Sequence, residues 1–377
     1  MAGRDEGGDC CPRVFYHDQS TSSTQLQRCA GRLIAGERQI LYNENMPHTM
    51  DCGTNRCLVM ETIKTRGSQR IFQPAIDWLL SSTIASIRYQ TRRDLMGQPE
   101  WHPAVRAARQ GMRAGGPVAE ILAHQSPGGN WINERSYYTP KYISSHWSML
   151  LLDELQVDGG DSRLQQGCRF MLTDTQSKAG EDEFGFSCFW GNLLHYTVHG
   201  GYHSDRRLGA IIQYLAGDVQ REKCRCPANG GLPCAWGMVR ALWGMAALPK
   251  NLRNRTVNAA IAQGIKWLLE EHDLMQANYP TSGKVHPLWF RLNFPLFYQV
   301  DILFTLRVLA ELGALDHPGA QAALDWLANR RTKRGRWRGA SPYRRRTWEA
   351  LADPIEVDRW VSLQALTVLK RAGRIDF

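Results

Sequence analysis

The chain has 377 residues, 43% of them hydrophobic, with 13 Trp, 34 Gly and a formal net charge of +10. That is enough apolar material for one large domain or two ordinary ones, and it argues against global disorder. No apolar run reaches the ~20 residues of a membrane-spanning helix, and the N-terminus lacks a basic-then-apolar leader, so a soluble, cytoplasmic protein without a transmembrane segment is expected.

Residues 1–59 show no helical period and scatter Cys among Ser, Thr, Asn and Gly. They read as a poorly ordered extension. Met60 precedes the first helical start and is a candidate initiator. Residues 60–377 read as one domain. Gln73–Leu80 forms a first helix with Pro74 near its first turn. Residues 82–95 form a second, ending near Gly97, and 116–124 a third, closed by Gln125-Ser-Pro-Gly-Gly-Asn-Trp131. Helical hairpins follow, each pairing an apolar inner helix with an amphipathic outer one. The pairs are 146–155 with 161–176, 189–199 with 205–216, 235–247 with 255–270, and 298–312 with 318–328; residues 357–371 close the chain. Asp161, Asp205 and His317 stand at the starts of outer helices, where Asp suits an N-cap.

The inner helices repeat one pattern, an aromatic residue opening an apolar run. Trp147, Trp190, Trp236 and Trp360 occupy that place, and Tyr298 replaces Trp in a fifth copy. Units of this kind cannot bury their apolar faces alone and must stack on one another. The predicted fold is all-α, an α/α toroid with inner and outer layers. The longest connector, Met275 to Phe297, is too long for a plain turn, and long ordered loops in compact domains are usually functional.

Arg330 to Arg346 carries nine Lys or Arg and no acid. It reads either as a solvated loop or as an anion site, with peripheral membrane contact as one form of the latter. Few aromatic residues alternate with its charges, so a nucleic-acid partner is not favoured. The sequence does not fix an oligomeric state.

Gln125-Ser-Pro-Gly-Gly-Asn-Trp131 and its echo Arg334-Gly-Arg-Trp337 resemble the Gln…Gly-x-Trp repeat of squalene-type cyclases. With the Asp-x-Arg-Leu and Trp-Gly-x-x-Leu repeats, residues 71–373 resemble the terpenoid cyclase and protein prenyltransferase superfamily, in a bacterial cyclase-like branch. The resemblance implies a toroid with a central aromatic cavity for an apolar, isoprenoid-like substrate. The chain departs from the superfamily's chemistry. It has no Asp-x-Asp-Asp acid motif, no Asp-rich magnesium motif, no Asp-x-Cys beyond residue 60 and no Cys-His-Gly.

Candidate chemistry therefore comes from the residues themselves. Asp301, on an apolar inner helix, is expected to be either a general acid with a raised pKa, a salt-bridge partner of Arg240 or Arg291, or an interrupted cap. Asp358, two residues before Trp360, and His146, one before Trp147, are the other acid–base candidates. His195 and His199 share a helix face and read either as core histidines or as a metal pair. Trp147, Trp190, Trp236, Tyr298 and Trp360, with Tyr142, Arg240 and Trp289, are the expected substrate-binding set, either lining a pocket or simply packing a core. Cys188, Cys224, Cys226 and Cys234 are the candidate metal ligands for zinc, with burial as small hydrophobes or a reactive thiol as the other readings. Three functions follow: an acid–base enzyme on a small apolar substrate, a zinc- or thiol-dependent enzyme of the prenyltransferase or dehydratase-isomerase kind, and a non-catalytic scaffold.

Overall fold

The computed structural model of the protein describes residues 72–176, 186–275, 285–351 and 353–376. All of them fall in one unit, Lys64 to Phe377. The expected disorder of residues 1–59 lies outside the described residues. Among those residues the fold is all-helical, with three isolated bridges and no named strand. The helices are α1 (72–80), α2 (Ala85–Gln90, prolonged by a π-helical turn Thr91–Leu95), α3 (Pro103–Gly111), α4 (Gly116–Ala123), α5 (Ser145–Glu154), α6 (Ser162–Thr175) and α7 (Ser187–Thr197). There follow α8 (Leu208–Arg221), α9 (Ala235–Ala247), α10 (Arg255–Lys266), α11 (Ile302–Leu312), α12 (Pro318–Asn329) and α13 (Pro354–Arg371).

Two helix types alternate, as the apolar pattern requires. Every residue of α5 is buried, and α7 and α9 are buried along nearly their whole length. Helices that are apolar on all sides have no solvent face to offer. The outer helices bury one stripe each, such as Leu164, Cys168 and Met171 on α6 or Leu208, Ile211 and Leu215 on α8. In space α5 packs on α7, α7 on α9, α9 on α11, α11 on α13 and α13 on α2. The end of α2 meets the end of α5, where Gln90 Nε2 donates to Glu154 O at 3.1 Å. Of the outer helices, α6 lies on α5 and α7, α8 on α7 and α9, α10 on α8 and α9, and α12 on α11 and α13. Each fully buried Leu in this layer stabilises the fold by about 1.5–3 kcal/mol.

At the α7–α9 contact the two backbones touch. A Cβ on Gly191 would sit 2.1 Å from Arg240 O, and one on Gly244 would sit 2.5 Å from Gly191 O. Only residues without a side chain allow such an approach.

The two Gly-x-Trp motifs have one structural role. Trp131 donates its backbone N–H to Ser145 Oγ on α5 (3.0 Å) and its indole N–H to Ile121 O on α4 (2.7 Å). Trp337 does the same with Ser362 on α13 (2.9 Å) and Leu327 on α12 (2.8 Å). Each motif thus ties an outer helix end to the next inner helix.

Two differences from the sequence expectation have local causes. The helix α3 is unforeseen: it buries only Val105 and Ala108, too narrow a stripe to stand out, and starts where the His102 ring accepts from Ala104 N. The helix predicted over 298–312 begins at Ile302, because the Asp301 side chain accepts from Phe304 N at 2.8 Å and caps it.

Candidate active site at the C-terminal ends of the inner helices

The N-terminal ends of α5, α7, α9, α11 and α13 carry a buried set of aromatic residues. Trp147, Trp190, Trp236, Tyr298, Trp360, Tyr142 and Trp289 are all 5% exposed or less. The Trp147 ring lies 5.6 Å from Phe297 and 6.0 Å from Tyr298, Tyr142 4.6 Å from Phe297, and Trp360 stacks on Phe294 at 4.5 Å. The Trp289 indole donates to Leu274 O at 2.9 Å. Where these rings meet they fill space against one another, as a close-packed core does.

Each of the three acid–base candidates has hydrogen-bond partners of its own. Asp301 is 1% exposed and spends its carboxylate on Phe304 N, on Asn293 N at 2.8 Å and on Asn293 Nδ2 at 3.0 Å. Burial raises its pKa to about 6. No ion pair joins it to Arg240 or Arg291. Asp358 accepts from Gly339 N at 2.7 Å and Arg338 Nη1 at 3.3 Å, pinning the second Gly-x-Trp loop. His146 is fully buried, with Nδ1 3.3 Å from Tyr196 Oη. Burial and the Arg240 charge push its pKa down to about 3, so it is neutral at ordinary pH. Arg240 is itself buried: its guanidinium lies 3.9 Å from the Phe304 ring centre and donates to Gln299 O at 2.8 Å, and burial lowers its pKa to about 9.

The four thiols gather near the starts of α7 and α9. A Cβ on Gly237 would meet Cys224 Cβ at 3.1 Å and Cys234 Sγ at 3.4 Å, and Cys224 senses Cys188. Among the described residues no three His, Cys, Asp or Glu are grouped to hold a metal ion. Cys234 instead caps α9, accepting from Gly237 N at 3.1 Å. Its hydrogen bond to Cys226, aided by the Ala228 and Asn229 amides, lowers the Cys226 thiol to about 7.

The opposite end of the inner helices is polar and open. A cavity of about 250 Å³ lies among the last turns of α2, α5, α7, α11 and α13. His195 stands in its wall, its Nδ1 2.5 Å from Asp153 Oδ2. The ring stacks on Trp243 at 3.6 Å and 16°. Asp153 is fully buried on α5, and His199, one turn after His195, approaches its other oxygen at 3.7 Å. Burial opposes charge on both members of the pair. Their mutual attraction wins, holding the His195 imidazole above its usual pKa and the Asp153 carboxyl below its own. Since Asp153 occupies Nδ1, Nε2 is the nitrogen left for a ligand.

Two more charged groups face the same space. Arg307 on α11 pairs with Glu154 at 2.9 Å, and the attraction of that carboxylate outweighs burial and raises the guanidinium pKa. Glu311, one turn on, is exposed to the cavity yet enclosed by its walls, and burial raises its carboxyl above the usual range. A second, shallower recess of about 570 Å³ lies beside α3 under the exposed Trp101, but its Arg109 and Arg113 are already paired with Asp158 and Asp161.

Of the cavity groups, sequence reasoning singled out only His195, as half of the His195–His199 pair. Asp153, Glu154, Arg307 and Glu311 lie in helical runs whose last turns look like ordinary solvent-facing ends. The one available signal was a fully ionisable pair, Asp153-Glu154, closing a helix that is otherwise apolar. The basic run partly serves the fold: Arg336 lies 4.1 Å from the Trp78 ring centre, Arg331 4.9 Å from Phe72 and Arg346 4.8 Å from Tyr142. Among the described residues no helix is long and apolar enough to cross a membrane. No protein-family model, curated protein or solved structure matches the chain, so its function must be read from this geometry.

Proposed function

We propose that the protein is an enzyme of α/α-toroid architecture that performs acid–base chemistry on a small polar substrate in the cavity beside His195. The toroid reading is supported by the inner-helix contacts, which run from α5 through α7, α9, α11 and α13 to α2, and by the Gln90–Glu154 bond back to α5. The observation that carries the chemistry is the Asp153–His195 pair in the wall of a cavity that also holds Glu311. An imidazole aligned by a buried carboxylate is a positioned proton donor or acceptor, and a second carboxyl with a displaced pKa supplies the complementary role. Arg307, held by Glu154, offers a fixed positive charge to an oxyanion or carboxylate.

The hydrocarbon reading leans on the aromatic residues, which pack on one another at the other end. The cavity wall is charged, and ionised groups in contact with a hydrocarbon lose hydration without compensation. A polar substrate therefore fits better than an isoprenoid.

The test is a turnover screen. The full chain is incubated with a library of small polar metabolites and followed by NMR, beside the His195→Gln and Asp153→Asn variants. Conversion by the native chain that falls at least ~100-fold in His195→Gln is expected, in line with the ~10²–10⁴-fold worth of a general acid or base. Conversion that survives unchanged in His195→Gln sinks the proposal.

A further inference from the structure

The charges around the cavity are balanced, and the balance specifies a ligand. Three guanidinium groups, Arg93, Arg307 and Arg371, face three carboxylates, Asp94, Glu154 and Glu311. His195 is matched by Asp153 behind it. Two of the three pairs are closed already: Arg93 Nε lies 2.7 Å from Asp94 Oδ1, and Arg307 Nη2 lies 2.9 Å from Glu154 Oε2. Glu311 and Arg371 remain. Neither takes part in a hydrogen bond or ion pair among the described residues, yet Glu311 lies within reach of the charges of His195, Arg307 and Arg371. They stand in the last turns of α11 and α13, both line the cavity, and no ion pair joins them.

We propose that the cavity takes up a small zwitterion, with its ammonium group on Glu311 and its carboxylate on Arg371. The inference rests on the cavity being the reaction site and adds the class of molecule that enters it. A diphosphate or dicarboxylate would bring net negative charge into a lining with no net positive charge, and would be left uncompensated. A simple cation would leave Arg371 without a partner. The backbone adds a bias of its own. The cavity lies at the C-terminal ends of inner helices, where unsatisfied carbonyls carry partial negative charge. A carboxylate in the last turn of α11 is unfavourable there by itself. An ammonium group beside Glu311 relieves both the side chain and the helix end. Gln156, Gln364 and Thr367 line the middle of the cavity and supply hydrogen bonds between the charged ends. The volume, about 250 Å³, is below the ~300–1,000 Å³ of sites for drug-sized ligands. A short amino acid fits; a peptide does not.

The experiment is calorimetric titration of the full chain with glycine, β-alanine and 4-aminobutyrate, and with propionate, propylamine and inorganic phosphate as controls of single charge type. One of the zwitterions is expected to bind at least ~10-fold more tightly than every control, a difference of about 1.4 kcal/mol. Glu311→Gln and Arg371→Met should each remove that ~10-fold advantage. Both positions reach solvent, so the thermal midpoint of each variant should match the native chain and certify the fold. Binding should persist in His195→Gln, which separates recognition from reaction. Phosphate or propionate binding as well as the best zwitterion, zwitterion affinity indifferent to both variants, or no binding by any probe overturns the inference. Turnover of some other substrate that depends on His195 would then leave the acid–base reading standing.

Discussion

The two ends of the inner helices are built from opposite materials. At the N-terminal end, Trp147, Tyr142, Tyr298 and Trp360 stack against Phe297 and Phe294 and leave little polar surface. At the C-terminal end, His195, Glu154, Arg307 and Glu311 line a cavity of about 250 Å³, with Asp153 buried behind His195. The difference separates what a repeat is for from what a site is for. A residue that recurs in every unit serves what every unit needs, which is burial against its neighbours. A site needs groups that differ from unit to unit, so that acid, base and cation face each other.

The largest effect is expected at the packed end. Trp147→Ala should lower stability by about 3–5 kcal/mol in denaturant unfolding, the usual result of emptying a large aromatic site. A loss under about 1 kcal/mol would mean that the end is loosely filled, and the contrast between the ends would fail. At the polar end, Glu154→Gln leaves Arg307 half-buried without its counter-charge. A loss of about 1–3 kcal/mol is expected, below the figure for a fully buried pair because Arg307 keeps 21% of its side chain exposed. No loss would make the pair an ordinary surface bridge.

The Asp153–His195 pair gives a smaller effect with a pH signature. The folded pKa of His195 is raised, so its contribution is complete below the ordinary imidazole value and is lost as pH rises through the folded one. The folded pKa of Asp153 is lowered, so its contribution is present above the ordinary carboxylate value and is lost as pH falls through the folded one. Asp153→Asn should therefore destabilise most between about pH 4 and pH 6.5 and progressively less on either side. Denaturation curves across pH for the two chains measure this; a difference that is flat across pH would remove the ion pair. The mildest perturbation returns to the first end. With its thiol near 7, Cys226 should be alkylated by iodoacetamide at pH 7 faster than the buried Cys224, whose pKa is raised. Mass spectrometry after brief labelling ranks the two, and equal rates would show that the Cys234 hydrogen bond does not hold a thiolate.

The sequence carries the fold more openly than the site, for a physical reason. Inner and outer helices differ in how much of their circumference is apolar, and that is written residue by residue, as the bounds of α9 at Ala235 and Ala247 illustrate. Pairing at helix ends depends on which helices are neighbours across the core. Glu154 and Arg307 are 153 positions apart and meet only because α5 and α11 end together. Asp301 is legible in part: a carboxylate beside an apolar run is buried with a raised pKa, as its setting suggests, while its hydrogen bonds to Phe304 N and Asn293 depend on the fold. The thiols converge as their matching positions imply, but convergence is a weaker condition than tetrahedral geometry, which spacing alone does not encode.

The glycine contact between α7 and α9 reaches further than packing. His195 lies one helical turn beyond Gly191, and Trp243 immediately precedes Gly244. With the two backbones touching, neither helix can slide without carrying its aromatic ring off the other. The seam thereby acts as a jig for the imidazole, and a single methyl group at Gly191, outside the cavity wall, should misalign the His195 ring while every polar group around it stays intact.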